Sequence, residues 1–469
     1  MENPYRSIPS VDVCLSALEE EYPDLLKNVS RSRAREIITA FWDDVRRDIK
    51  DGRRRVATPL LQTCLPDIKN AIRMETRCGV RPVLNATGVV IHTNLGRSIL
   101  PEKALQALTD TSSGYCSLEL NRETGGRGSR HDIAENLLKD LCGAEAAVVV
   151  NNNAAAVLLV LNTLCEGGEV IVSRGELVEI GGSFRIPEIM ERSGSILREV
   201  GTTNRTYLRD YEVAVTENTK ALLRVHTSNY RIVGFHSAAS LPQLAALGRQ
   251  RGLLVIEDLG SGCLVDLTPY GLPPEPTVAS VVSEGADMVM FSGDKALGGP
   301  QAGIVVGRKD LVDQLKLNPL MRALRCDKLC LTALEATLRQ YCLPDVVSRI
   351  PTLRMITASP RELAAKAKRL ATRLRKLLGE RCAVSLRQGS SRVGGGAFPE
   401  CDLPTTLICI TPAYISANEL KSRLLACTPP LLGRMEDNAF CLDTRTLRSR
   451  DCLLAERLLV EALSDPAGE

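Results

Sequence analysis

Ser292-Gly293-Asp294-Lys295-Ala296-Leu297-Gly298-Gly299-Pro300-Gln301-Ala302-Gly303 sets a lysine among small residues directly after an apolar run, Asp287 to Phe291. A solvent-facing charge has no need of such neighbours, whereas glycines let a backbone approach a flat ligand closely. Upstream, the run Leu253 to Ile256 leads into Glu257-Asp258-Leu259-Gly260-Ser261-Gly262. That puts a carboxylate at the C-terminal end of a parallel strand, where α/β proteins hold ligands. Further upstream, Val148 to Val150 runs into Asn151-Asn152-Asn153-Ala154-Ala155-Ala156 and then an apolar helix, whose first N–H groups are free to hold a phosphate. Singly, two of these have plainer readings: asparagine caps helices, and an aspartate after a strand caps the next loop. Together they supply an amine for a Schiff base, a carboxylate for a pyridinium nitrogen and a phosphate cup, the parts that pyridoxal 5′-phosphate chemistry needs. The expectation is a pyridoxal-phosphate enzyme with the cofactor on Lys295. A P-loop is excluded, because the GxxxxGK[ST] spacing is absent.

A sheet must position these groups. From about residue 81 to about 310, short β-branched runs alternate with helical stretches, the pattern of a mainly parallel sheet wrapped by helices. The runs are Ala146 to Val150, Glu169 to Val172, Leu222 to Val225, Leu253 to Ile256 and Asp287 to Phe291. The order cup, aspartate, lysine matches the aspartate-aminotransferase-like group of pyridoxal-phosphate enzymes (fold type I), so the expected fold class is α/β of that type. A leucine-rich helix follows, around Leu329 to Tyr341. Residues 81–341 then form the catalytic domain, and 342–469 a smaller α+β domain with a basic helix from Arg361 to Leu378 and a strand at Leu407 to Ile410. Residues 1–80 read as a helical domain, with Ser10 starting one helix and Ala34 to Ile49 forming another. Arginine is dense there, at Arg31, Arg33, Arg35, Arg46, Arg47 and Arg53-Arg54-Arg55, but Asp43, Asp44, Asp48 and Asp51 are interleaved. Composition alone favours a solvated face over a surface for a phosphate backbone.

The remaining bounds are broad. The chain has 469 residues, is 44% hydrophobic and carries a formal net charge of +3, which excludes neither a small anion nor a nucleic acid. Sixteen cysteines without a CxxC pair, the closest being Cys326 and Cys330, and only four histidines argue against a metal site or a disulfide framework. No apolar run approaches the roughly 20 residues that span a bilayer. The start, Met1 to Arg6, lacks the regions of a signal peptide. A cytoplasmic protein without a membrane partner is expected.

Longer strings are more specific: Asn85 to Arg97, Ser173 to Gly182, Val200 to Thr206 and the lysine loop. On these the chain resembles the bacterial selenocysteine synthases, the L-seryl-tRNA(Sec) selenium transferases, and it does so from Ile8 to Arg445. The resemblance implies conversion of seryl-tRNA(Sec) to selenocysteinyl-tRNA(Sec) with selenophosphate, by elimination to a dehydroalanyl-tRNA and selenium addition. It implies that Lys295 shuttles the proton and that Asp258 pairs with the pyridine nitrogen. Ser292, Asn152, Asn153 and Ala154 would hold the cofactor phosphate. His226 would contact the ring oxygen or the reacting serine, with a satisfied core histidine as the plainer reading. Arg97, Arg322 and Arg325 are implied for the substrate anion, with Asp294 a catalytic residue beside the lysine. The residues alone put Arg322 and Arg325 on one helical face at i,i+3, which reads as well as a surface basic patch. The resemblance also implies that the N-terminal domain grips tRNA and that the chain forms a ring of dimers, a decamer; no DNA partner is expected. The loop Gly125 to His131 matches without an assigned role. Two rival readings are a paralogous pyridoxal-phosphate lyase or aldolase on a small phosphorylated or amino-sugar substrate, and a non-catalytic tRNA-binding scaffold. The basic N-terminal segment argues against the first, and the intact lysine loop with Asp258 against the second.

Overall fold

Residues 7–51, 60–180, 184–227, 229–399 and 401–464 are described by a computed structural model, in which the chain divides into two compact units, Met1–Pro82 and Val83–Glu469. In the first unit, α1 (Val11–Glu21), α2 (Arg31–Lys50) and α3 (Leu60–Thr76) pack together. Ser10 caps α1 by accepting from the Val13 N–H, and Ser30 caps α2 from Arg33. Ile38, Trp42 and Val45 recur at helical spacing and meet Leu15 and Leu18 of α1 and Ile68 and Ile72 of α3 in one core. Acids take up many of the arginines: Arg46 pairs with the interleaved Asp43 and Arg47 with Asp44, while Arg31 pairs with Glu19 and Arg35 with Asp12 of α1. Arg33 bridges Glu36 and Glu75. Arg53-Arg54-Arg55 lie outside the described residues.

The second unit is built on a seven-stranded sheet. Its strands are β1 (Ala146–Val150), β2 (Glu169–Ser173), β3 (Ile196–Val200), β4 (Thr219–Val225), β5 (Leu254–Gly260), β6 (Met288–Ser292) and β7 (Gly303–Gly307). Their order is β1-β7-β6-β5-β4-β2-β3. Only β7 runs against its neighbours, pairing antiparallel with both β1 and β6, so the sheet is mainly parallel as expected. Helices cover both faces, and β1 and β6 are buried along their whole length, which is why they read as continuous apolar runs; β7 is equally buried. One face carries Val149, Leu222, Val255 and Val289; the other carries Val148, Leu223, Ile256 and Met290, against helix α4 (Asn153–Cys165).

Two strands of this large sheet were not anticipated. β3 has exposed positions and polar residues at its centre, and β7 is five residues bounded by glycine, so neither carries a strong apolar signal. β5 also runs further than its apolar stretch, through Glu257 and Asp258 to Gly260. Beyond α5 (Lys328–Tyr341) and the basic helix α6 (Pro360–Leu378), four antiparallel strands form a second sheet in the order β8-β9-β11-β10: β8 (Cys382–Arg392), β9 (Asp402–Pro412), β10 (Arg434–Glu436) and β11 (Ala439–Asp443). The segment before the large sheet joins this smaller one: the Val90 and Ile91 N–H groups donate to the Arg392 and Val393 carbonyls at 3.0 and 2.7 Å. Among the described residues, no helix is long and apolar enough to cross a membrane.

Candidate active site

Strands β1, β4, β5 and β6 end on one edge of the sheet, and the singled-out groups gather there. Alternation along β5 turns Asp258 to the side of Ile256 and α4, and Glu257 to the other side. There Asn153, the first residue of α4, donates from Nδ2 to Asp258 Oδ1 at 2.8 Å. Asp258 is 3% exposed. Burial pushes its carboxyl above the ordinary aspartate value, while the Asn153 amide and the Lys295 ammonium pull it back. Asn152 takes the capping role: its Oδ1 accepts from the Ala155 N–H at 2.8 Å and its carbonyl from Ala156 at 3.1 Å. The Asn153 and Ala154 N–H groups are left outside the helical ladder, half-buried and available to an anion.

The lysine loop starts from Ser292, the last residue of β6, and ends at Gly303, the first of β7, which face each other across the ladder. Inside it, the Gly298 N–H donates to the Lys295 carbonyl at 3.0 Å, and Ala296 donates to the Ser261 carbonyl at 3.1 Å. Gly262 is needed here: its φ is +69°, and a Cβ would lie 2.3 Å from the Ser292 carbonyl oxygen. Ser292, Asp294 and Lys295 are all buried. Burial pushes the Lys295 ammonium below the ordinary lysine value and Arg97 adds to this, while Asp258 and Asp294 oppose it.

Residues 92–98 close on this loop from the other side. Arg97 Nη1 meets Asp294 Oδ2 at 2.7 Å. Ser98 doubles the clasp, its N–H donating to the Asp294 carbonyl at 3.2 Å and its hydroxyl to the Lys295 carbonyl at 2.6 Å. Arg97 has φ 61°, the left-handed region that a branched or bulky residue rarely enters, and its N–H is held by the His92 carbonyl at 3.0 Å. His226 follows β4, with its N–H on the Asp258 carbonyl at 2.9 Å. Burial pushes its imidazole down to about 4, with Arg224 and Lys295 adding to the effect, so the ring is neutral near pH 7. Its Nδ1 is buried without a hydrogen-bond partner among the described residues, unlike a satisfied core histidine.

Arg322 and Arg325 are arranged differently from the helical face expected for them. The helix ends at Leu324, and Arg325 is its extended C-cap, bridged to Val150. The Asn151 N–H donates to the Leu324 carbonyl at 2.8 Å, which lays this segment against the end of β1. Arg322 is exposed and Arg325 half-buried. The Gly125 to His131 loop leads to the same place, Arg130 donating to Glu119 at 2.8 Å and to the Cys326 carbonyl at 2.8 Å. The sequence reading missed Ser98, Ser261 and Glu275, and it took Asn153 for a phosphate ligand without seeing its side chain on Asp258. Only the prolines around Glu275 hinted at a fixed position.

A family model described as L-seryl-tRNA selenium transferase matches residues 83–448. An L-seryl-tRNA(Sec) selenium transferase from Desulfovibrio desulfuricans is 59% identical, with 100% of both chains covered. The chain belongs to the L-seryl-tRNA(Sec) selenium transferase family. Another selenium transferase, from Nitratidesulfovibrio vulgaris, is 56% identical over 95% of this chain and 96% of its own. Among solved structures, that of D-glucosaminate-6-phosphate ammonia-lyase aligns with a TM-score of 0.57 at 20% identity, covering 82% of this chain and 96% of that one, which shows a shared fold. The fold is thus the expected aspartate-aminotransferase-like α/β type. The selenium transferase match begins at residue 83, where the second compact unit also begins, and takes in every residue of the site described above.

Proposed function

We propose that this chain converts seryl-tRNA(Sec) to selenocysteinyl-tRNA(Sec), with selenophosphate as selenium donor and pyridoxal 5′-phosphate held at Lys295. The observation that carries the reading is the buried Lys295 beside the buried Asp258, within a chain so similar throughout to a named selenium transferase. The site fits a flat polar cofactor: His226 Nδ1 and the Ser261 hydroxyl are buried there without partners among the described residues. When bound, the cofactor supplies an electron sink that weakens the Cα–H bond of the serine and lets its β-hydroxyl leave. Asp258 keeps a proton on the ring nitrogen, with Asn153 supporting its charge. Ser292 and the Asn153 and Ala154 N–H groups hold the phosphate. Lys295 Nζ, its proton affinity lowered by burial, takes and returns the Cα proton. Asp294 orients Arg97, which with Arg322 and Arg325 receives the phosphoryl group of selenophosphate through planar forks of donors.

The first unit contacts the tRNA, a role supported by its dense arginines. The resemblance supports a ring of dimers acting in the cytoplasm. Likeness to an ammonia-lyase at 20% identity carries only the fold, so a lyase reading has less behind it. The deciding experiment incubates the pyridoxal-phosphate-loaded protein with seryl-tRNA(Sec) and selenophosphate, then hydrolyses the ester and identifies the amino acid. Selenocysteine is expected; recovery of serine alone refutes the reading. Deleting residues 1–82 should abolish tRNA binding while cofactor binding persists, and undiminished tRNA binding would overturn the role of that unit.

A further inference from the structure

One buried acid near the lysine loop has no part in the scheme above. Glu275 sits between Pro274 and Pro276, with Pro273 before them. Three prolines fix φ and leave the loop few conformations. On the far side the backbone is tied down again: Thr277 caps the next helix through Ser280, and the Val278 N–H donates to the Cys263 carbonyl at 3.0 Å. This rigid loop turns the Glu275 side chain inward, where it is 6% exposed, and brings Oε1 to 4.0 Å from His226 Nδ1. Glu275 Oε1 and His226 Nδ1 are both buried without a well-formed hydrogen bond among the described residues, with the Ser261 hydroxyl close to the carboxyl. A carboxyl held by a stiff loop against a bare imidazole nitrogen is a poor structural device, because each unmade hydrogen bond costs stability. It is a good one if the two groups become partners when the site is filled, since such contacts tighten in the loaded state.

We propose that Glu275 is a positioning residue for the transferase reaction, its carboxyl partnering His226 Nδ1 and so deciding whether Nε2 presents a proton or a lone pair to the cofactor and substrate. The inference rests on the reading of Lys295 as the cofactor lysine. A protonated Glu275 donates to Nδ1, and the ring proton then resides on Nε2; an ionised Glu275 accepts from Nδ1–H, and Nε2 is left as an acceptor. Burial pushes the Glu275 carboxyl up to about 7, partly offset by Ser261, so both states are within reach near neutrality. The other groups facing the pair are Arg224 on β4, Lys295 on its loop, and the Cys263 and Cys401 thiols. Asp258 is tied to the His226 backbone N–H through its carbonyl.

The test uses the full-length, pyridoxal-phosphate-loaded enzyme and reads the visible absorption of the cofactor across pH 5.5–9, beside kcat and KM. Glu275→Gln, which keeps size and burial, should retain the absorption band but move its pH midpoint by about half a unit or more. It should also lower kcat roughly tenfold with KM for seryl-tRNA(Sec) little changed. His226→Gln should move the midpoint comparably, and the double variant no further, because the two act as one unit. Glu275→Asp should recover part of kcat. An unmoved midpoint in Glu275→Gln, or shifts that simply add in the double variant, overturns the proposal. A wild-type protein without the absorption band overturns the Lys295 assignment instead, and the inference falls with it.

Discussion

Removing the amide of Asn153 tests whether the aspartate of the site depends on the helix that faces it. Asp258 is 3% exposed, and burial alone drives its carboxyl toward the neutral form. The Asn153 Nδ2 donor at 2.8 Å is the first of the groups that oppose this. A hydrogen bond to a charged acceptor contributes about 1.5–3 kcal/mol. Its loss in Asn153→Ala should push the Asp258 carboxyl further toward the neutral form. The carboxylate then attracts the proton on the ring nitrogen less strongly, and the lost hydrogen bond corresponds to a fall in pyridoxal phosphate affinity of about ten- to hundredfold at pH 7. The deficit should shrink as pH rises and Asp258 ionises again. The helix itself is spared, because Asn152 still caps it and alanine suits its first turn. The assay is cofactor titration of the apoenzyme by visible absorption at several pH values, with melting temperature as the control. Wild-type affinity with an unchanged pH profile would refute the dependence of Asp258 on Asn153.

Three further outcomes follow from the same geometry. Gly262→Ala should cost about 1–2 kcal/mol from backbone conformation alone, and more from its approach to the Ser292 carbonyl, so melting falls and cofactor retention weakens; an unshifted melting point would contradict the close approach. Arg97→Lys keeps a charge near Asp294 but loses the planar fork, so KM for selenophosphate should rise about tenfold or more while the cofactor band stays; equal loss of both would mean that Arg97 only holds the loop together. Glu257 is buried, and burial lifts its carboxyl to about 8 against the pull of Arg224. Its folded value lies above the unfolded one, so its contribution is complete below about pH 4.3 and is lost as pH rises toward 8. Glu257→Gln should therefore flatten the decline of melting temperature between pH 5 and 8, and parallel wild-type and variant curves would argue against a protonated Glu257.

Groups that announce themselves in the chain are those whose neighbours share their task. Lys295 is surrounded by the small residues that make its loop, and Asn152 and Asn153 sit at the junction of an apolar strand and an apolar helix. Parallel strands buried on both faces are apolar almost without interruption, which made β1, β2 and β6 readable to within about a residue, while the start of β4, with Lys220 exposed, was not. Asp258 was expected at the C-terminal end of its strand and lies there, although the strand runs on to Gly260 because hydrogen bonding to β4 and β6 continues past the last of the apolar run. The helical spacing of Arg322 and Arg325 was misleading for a related reason: a backbone bridge to Val150 straightens Arg325 out of the helix. Ser98 and Glu275 were invisible for a different reason. Their partners lie far along the chain, as the 197-residue gap between Ser98 and Lys295 shows, and no local pattern records such a meeting.

The antiparallel strand β7 ties two distant parts of the chain to a common rung. Gly303 faces Ser292 on one side and Val150 on the other, and a Cβ on it would lie 2.0 Å from the Asn152 carbonyl oxygen. The lysine loop is thereby a closed bight, fastened at both ends to the same level of the ladder as the cup at the start of α4. Its length cannot drift without pulling ladder hydrogen bonds apart, and sliding the strand by one residue would exchange its faces. The span from Lys295 to the start of α4 is gauged by the ladder, like the jaws of a fixed caliper. Whatever the site binds between them meets two ends set at one fixed separation.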